Sequence, residues 1–336
     1  MNEITELLAG CPSFRARQIY KWIVCGAKSF DEMSNLPAAL RAKLKEKHVL
    51  FSGEAVSELP DSDNTVKLGI RLNDGAVIEA VILSDRAGRK TACLSTQAGC
   101  PQGCVFCKTG KMGLKRNLSA QEISSQFLLL CSRVPKISNI VIMGMGEPLL
   151  NLTELRKAIA FFTDPQGLNF SKRRITVSTC GITKGIRDLA DAGPDIRLAF
   201  SLITGRRELR ERLMPASREN PLPLVKEALL YHQKKMERRI TLEIVLLAGI
   251  NTGDADASSI ADFARGLDTV INLIPWNTAE GLEFEKQPLR SPSPPEIARF
   301  KKALINRGLN VTQRMERGAG IGGACGQLGA VLPTKS

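Results

Sequence analysis

Three cysteines stand close together in the stretch Cys100-Pro-Gln-Gly-Cys104-Val-Phe-Cys107, at C-x3-C-x2-C spacing on a loop containing glycine and proline. Thiolates hold iron–sulfur clusters, and a cubic four-iron cluster has four positions to fill. Cys100, Cys104 and Cys107 would fill three, leaving one iron open to a small molecule that brings its own ligating groups. The only histidines, His48 and His232, lie far from the loop in sequence, so a Cys2His2 or Cys3His zinc site has little to draw on. The competing reading is a closed zinc knuckle completed by Cys93 or Cys131. Against it, the x3-then-x2 spacing departs from the C-x2-C pairs of structural zinc.

Other residues with chemistry to offer fall at expected strand ends. In Gly144-Met145-Gly146-Glu147-Pro148 the glycines let a ligand approach the backbone, and Glu147 can accept a hydrogen bond from an ammonium group. Ser178, Ser201 and Asn277 each close or follow an apolar run, where polar residues of barrels meet ligands and where ordinary capping also places them. Cys325 lies in Gly322-Gly-Ala-Cys-Gly326-Gln-Leu. A cysteine among glycines packs little, so it is expected to be exposed and to serve as a nucleophile. Cys93 precedes the three-cysteine loop, while Cys11, Cys25, Cys131 and Cys180 read as buried and inert.

These residues need a scaffold. From Cys93 onward short apolar runs alternate with helical patterns. Strands are expected at Ala92–Thr96, Asn139–Met143, Arg174–Ser178, Ile196–Leu202, Thr241–Leu247, Val270–Pro275 and Leu309–Gln313. The alternation predicts a parallel sheet with crossover helices, whose chemistry sits at the carboxyl ends of the strands. Residues 1–50 read as a helical accessory region, and 51–92 as a small β unit with a hairpin turn at Asn73-Asp74-Gly75. Residues 93–336 form the α/β unit.

The chain has 336 residues, a net charge of +13 and nine cysteines. An odd cysteine count, no leader pattern at Met1–Gly10 and no long apolar run fit a reducing cytoplasm without membrane insertion; Leu242–Ile250 is only strand-sized. The charge points to a polyanionic partner, with clusters at Lys108, Lys111, Lys115 and Arg116, at Lys172-Arg173-Arg174, and at Arg206, Arg207, Arg210 and Arg212. Aromatic residues are only 5% of the chain, which favours a folded RNA over an extended strand stacked on aromatic rings.

The cysteine spacing, with Phe106 just before the last thiol, resembles the radical S-adenosylmethionine superfamily. The resemblance implies a 4Fe-4S cluster on Cys100, Cys104 and Cys107 that binds S-adenosylmethionine and cleaves it to a 5′-deoxyadenosyl radical. It also implies an incomplete (β/α)6 barrel. The likeness narrows to the RlmN/Cfr family of radical S-adenosylmethionine RNA adenine methyltransferases and covers nearly the whole chain. It is carried by Phe14-Arg-Ala-Arg-Gln-Ile-Tyr-Lys-Trp-Ile, Ile78-Glu79-Ala-Val-Ile, Cys93, Arg116-Asn-Leu, Gly144-Met-Gly-Glu-Pro-Leu-Leu-Asn, Arg174-Ile-Thr-Val-Ser-Thr, Asn272-Leu-Ile-Pro-Trp-Asn and Ala324-Cys-Gly-Gln-Leu.

By that likeness Cys325 carries a methyl group, Cys93 resolves the intermediate through a disulfide, and Glu79 is the base. Gly146, Glu147, Ser178, Ser201, Leu202, Ile203 and Asn277 would line the S-adenosylmethionine site. The implied substrate is carbon 2 of an adenine in 23S rRNA, and by extension tRNA, with flavodoxin or ferredoxin as electron donor and a monomeric enzyme. Carbon 8, the Cfr outcome, is the alternative; a non-catalytic RNA-binding module with a structural metal is the reading from another class. Two departures stand out. Ser201-Leu202-Ile203 replaces the family's Ser-Leu-His, and small residues replace acidic ones in Arg317-Gly-Ala-Gly-Ile-Gly-Gly-Ala.

Overall fold

The computed structural model describes residues 13–329, apart from 26, 28, 48, 49, 86, 135, 166, 315 and 316. The expectations for Met1–Gly10 and Cys11 therefore lie outside the described residues. Helices Ser13–Val24 and Ala38–Lys47 form the N-terminal unit, closed by the buried side chains of Ile19, Ile23, Met33, Leu36 and Leu44. Trp22 Nε1 donates to Asn35 Oδ1 at 2.7 Å and ties the first helix to the loop that follows.

Strands β1 (Gly53–Pro60), β2 (Val66–Leu72) and β3 (Val77–Ser84) run antiparallel. The β2–β3 turn is the one that Asn73-Asp74-Gly75 signals, with Gly75 at a φ of +84° that favours glycine. β1 was not among the expected strands; its side chains are half-buried or exposed, so it has no buried apolar run to announce it. β4 (Lys90–Cys93) pairs antiparallel with β3 and parallel with the strand beyond it. The segment expected as a separate small sheet is therefore the antiparallel wing of the main sheet.

β5 (Gln97–Gly99) and β6 (Leu114–Asn117) form a short hairpin whose connection carries the three cysteines. Then follow β7 (Asn139–Ile142), β8 (Ile175–Thr179), β9 (Arg197–Ser201), β10 (Ile240–Leu246) and β11 (Thr269–Pro275). A minor ribbon of β12 (Glu283–Phe284) and β13 (Gln287–Pro288) precedes β14 (Val311–Gln313). The large sheet runs β1-β2-β3-β4-β7-β8-β9-β10-β11-β14, parallel from β4 to β14, and its edge strands do not pair with each other. This is an α/β fold in which a parallel sheet curls into an open barrel, as expected.

The two-residue period of each strand sorts its side chains between helices and lumen. In β10, Ile240, Leu242, Ile244 and Leu246 are fully buried against the covering helices, each burial stabilising by about 1.5–3 kcal/mol. Thr241, Glu243 and Val245 face the lumen instead. Two of the outer helices, Ala120–Cys131 and Pro294–Ile305, start at capping boxes, Ser119 with Glu122 and Ser293 with Glu296.

Candidate active site

The cysteine loop is pinned across the carboxyl ends of the strands. The Val105 N–H donates to the Leu213 carbonyl at 3.0 Å, Trp276 Nε1 to the Phe106 carbonyl at 2.9 Å, and the Lys108 N–H to the Gly326 carbonyl at 2.8 Å. Trp276 just past β11, the Arg207–Leu213 helix and the C-terminal tail thus all hold it. Gly99 starts the loop at φ +79°, where a Cβ would lie 1.9 Å from the Gly113 carbonyl oxygen, so no other residue fits.

Cys100, Cys104 and Cys107 line one cavity of about 170 Å³, together with Gly146, Glu147, Ser178, Ser201, Ile203 and Cys325. Burial pushes the Cys100 thiol up to about 12 and raises Cys104 and Cys107, whose mutual repulsion adds to the effect. Such thiols ionise only against a bound cation. Among the described residues no three ligating side chains converge tightly enough to chelate a single ion. The three thiols line one shared hollow, where a cluster taking one thiolate per iron would fit.

Glu147 is buried and accepts from the N–H groups of Leu149 at 3.1 Å and Cys180 at 2.8 Å; burial raises its pKa against those donors. Ser178 Oγ lies 3.4 Å from Ser201 Oγ. Gly146, at φ +102°, lies so close to Gln97 that a Cβ would come within 2.5 Å of it. Ile203 lines the cavity at φ +65°, a left-handed conformation costly for a β-branched side chain. The backbone there is one that histidine tolerates far better. Leu202 is a correction: its side chain is fully buried in the main hydrophobic core, outside the cavity lining.

Cys93 and Cys325 share a second, smaller cavity of about 30 Å³ with Met143, Asn277 and Arg314, and both are free thiols. Burial, reinforced by Cys325, pushes the Cys93 thiol up to about 12, while Arg314 pulls it down. Cys325 is half-buried rather than exposed, because the tail folds back over the barrel. Asn277 Nδ2 donates to the Cys325 carbonyl at 3.2 Å, and its Oδ1 is buried with no hydrogen-bond partner. Glu79 lines neither cavity; its carboxylate is buried behind the tail.

Sequence reasoning missed several groups. Arg210, read as part of a surface cluster, is 1% exposed and donates to the carbonyls of Ser201, Leu202 and Cys180. No local pattern distinguishes it from its exposed neighbours. Cys180 lines the three-cysteine cavity and its thiol lies 3.0 Å from Gln102 Oε1, so it is no inert core residue; Cys25 is exposed. Arg314, just past the last strand, lines both cavities; Cys325 and Glu243 hold its pKa up.

Residues 94–259 match the radical SAM superfamily, and residues 5–50 match the ribosomal RNA large subunit methyltransferase N-terminal domain. A probable dual-specificity RNA methyltransferase RlmN from Treponema denticola is 51% identical over 98% of this chain and 93% of its own length. The chain belongs to the RlmN family. The RlmN relative from Nitratidesulfovibrio vulgaris, a dual-specificity RNA methyltransferase, is 41% identical over 96% of this chain and 90% of its own. A crystal structure of a radical SAM methyltransferase from Sphaerobacter thermophilus superposes with a TM-score of 0.92 at 39% identity, covering 97% of this chain and 96% of that one. Membership implies a 4Fe-4S cluster and S-adenosylmethionine, and the residues around the larger cavity fit both. Among the described residues no helix is long and apolar enough to cross a membrane.

Proposed function

We propose that this protein methylates carbon 2 of an adenine in 23S rRNA, and an adenine of tRNA, through a methyl group carried on Cys325. One observation carries the reading: Cys325 lines both the cavity of Cys100, Cys104 and Cys107 and the cavity of Cys93. A thiol placed there can exchange a group with one site and be attacked from the other.

A cluster on Cys100, Cys104 and Cys107, with S-adenosylmethionine beside it, supplies a methyl donor and a carbon radical. Gly146, packed against Gln97, brings bare backbone to the cavity wall, and Glu147 and the Ser178–Ser201 pair offer polar partners. The unpartnered Asn277 Oδ1 offers another acceptor. Once the carbon radical has removed one hydrogen from the methyl group of Cys325, that carbon would bond to the ring carbon, with the ring proton passing to Glu79 and the surplus electron to the cluster. The Cys93 thiolate would then attack the Cys325 sulfur: the disulfide forms as the sulfur–carbon bond breaks, and its electron pair takes up a proton to complete the methyl group on the freed base. A ring C–H carbon is too poor a nucleophile for direct methyl transfer, which is why the route needs two separate thiols.

Mass spectrometry of 23S rRNA and tRNA from a deletion strain tests this. Loss of 2-methyladenosine is the expected result. Loss of 8-methyladenosine would move the reaction to carbon 8, and unchanged RNA would overturn the proposal.

A further inference from the structure

At the amino ends of the strands the barrel opens into a cavity of about 640 Å³, on the side away from the cysteine loop. Lumen-facing residues at the strand starts make its wall, among them Asn139, Thr176, Asn272 and Thr312. Five arginines also line it, Arg89, Arg174, Arg197, Arg314 and Arg317, against two carboxylates, Asp85 and Glu243. Asp85 is taken by Arg89 at 2.5 Å, and Glu243 is buried and accepts from Asn272 Nδ2 at 2.8 Å. Arg174 and Arg197 are exposed, with no ion-pair partner among the described residues; Arg317 donates to the Ser84 carbonyl. Folding gains nothing from gathering unpaired guanidinium groups round one opening, whereas a polyanion would be held by them.

This mouth adjoins the two thiol cavities. Met143 and Arg314 line it and also line both the Cys93–Cys325 cavity and the three-cysteine cavity. Arg314 Nη1 lies 4.0 Å from Met143 Sδ, so the two side chains stand together at the junction. The cysteine loop, pinned by the Arg207–Leu213 helix, lies across the carboxyl end of the barrel.

We propose that the target nucleotide, swung out of a folded RNA, reaches Cys325 through this amino-end mouth, with Arg174, Arg197 and Arg317 holding the flanking phosphates. The inference rests on the RNA-methylation reading and adds the route and the contacts. An extruded base costs unstacking energy that phosphate contacts beside it can offset. Guanidinium forks match phosphate oxygens in pairs. The amide and hydroxyl groups of Asn139, Asn272 and Thr312 give a base hydrogen-bonding edges on the way in. The Lys172-Arg173-Arg174 run, noticeable in the sequence, finds its place here: Arg174 is on the wall, and Lys172 and Arg173 are exposed beside it.

The test uses full-length, anaerobically reconstituted protein and a transcribed 23S rRNA fragment. R174E/R197E is compared with K234E/R299E, the same charge change on exposed faces of two outer helices. Binding is titrated between about 50 and 200 mM salt. R174E/R197E should bind at least tenfold more weakly, with the salt slope reduced by about 1.5, while S-adenosylmethionine cleavage without RNA stays at the wild-type rate. The control variant should keep most of the affinity. Wild-type affinity and slope in R174E/R197E, or equal losses in both variants, would overturn the route while leaving the methylation reading standing. Wild-type protein that neither binds nor methylates the RNA would overturn both.

Discussion

Lys67 and Glu79 grip the C-terminal tail on both sides of Cys325. Lys67 Nζ lies 2.9 Å from Glu79 Oε1 and donates to the Gly322 carbonyl at 3.2 Å, while Glu79 Oε2 accepts from the Gly329 N–H at 2.7 Å. The side chains are only 12% and 4% exposed, so each ion depends on the other for its solvation. Lys67→Met should cost about 3 kcal/mol of stability and expose 322–329 to protease, read by urea unfolding and limited proteolysis. Glu79→Gln keeps an acceptor for Gly329 and should leave the tail folded yet yield no methylated RNA. Full activity in Glu79→Gln would remove it from the reaction.

Under the proposed route Cys93 and Cys325 have different jobs and should fail differently. Cys93→Ala should trap RNA covalently on the protein, visible as a shifted band on a denaturing gel, because nothing then attacks the Cys325 sulfur. Cys325→Ala should give neither band nor product. Equal loss without any covalent species in both would contradict the assignment.

Burial holds Cys93 protonated at neutral pH: its pKa rises from 9.0 to about 12. The thiolate is the nucleophile, so its fraction should grow about tenfold per pH unit over that interval. Peptide-resolved alkylation of Cys93 in the wild-type chain should therefore accelerate steadily from pH 9 toward 12, where an ordinary thiol has already levelled off. Arg314→Met removes the cation that lowers this pKa and should slow alkylation further at each pH. The sign for stability is the reverse: the folded state keeps a proton that the unfolded chain releases, so this contribution fades as pH climbs through the same range.

Ile203 occupies left-handed backbone in the wall of the three-cysteine cavity. Histidine is enriched in that conformation and a β-branched residue is an outlier there. Ile203→His should place an imidazole facing the bound cofactor, and one added hydrogen bond is worth about 0.5–1.5 kcal/mol. Calorimetry on cluster-loaded protein should show S-adenosylmethionine binding tightened about two- to tenfold. Weaker binding would mean that the apolar side chain is the fitted one.

Iron content separates the three loop cysteines from Cys180. Alanine at Cys100, Cys104 or Cys107 should abolish retention of iron and acid-labile sulfide, since each thiolate holds its own corner. Cys180→Ser should retain both, because the Cys180 thiol is turned to Gln102 Oε1 at 3.0 Å. Loss of iron in Cys180→Ser would enlarge the ligand set.

The sequence by itself determined the features that are local. Three thiols eight residues from first to last must share a neighbourhood, a two-residue period assigns lumen and core faces, and a Gly146 or Gly75 signals where the backbone turns. The parallel order of strands and the strand-end placement of Glu147, Ser178 and Ser201 followed from such patterns. Only the tertiary structure decided what depends on long-range closure. It merged the antiparallel hairpin into the barrel sheet, buried Arg210 from within a run of surface arginines, turned Leu202 into the core, and brought Arg314 between two thiols. It also folded the tail back so that Cys325 and Cys93 line one cavity. Burial and electrostatic coupling are sums over neighbours distant in the chain, and no spacing rule carries that information.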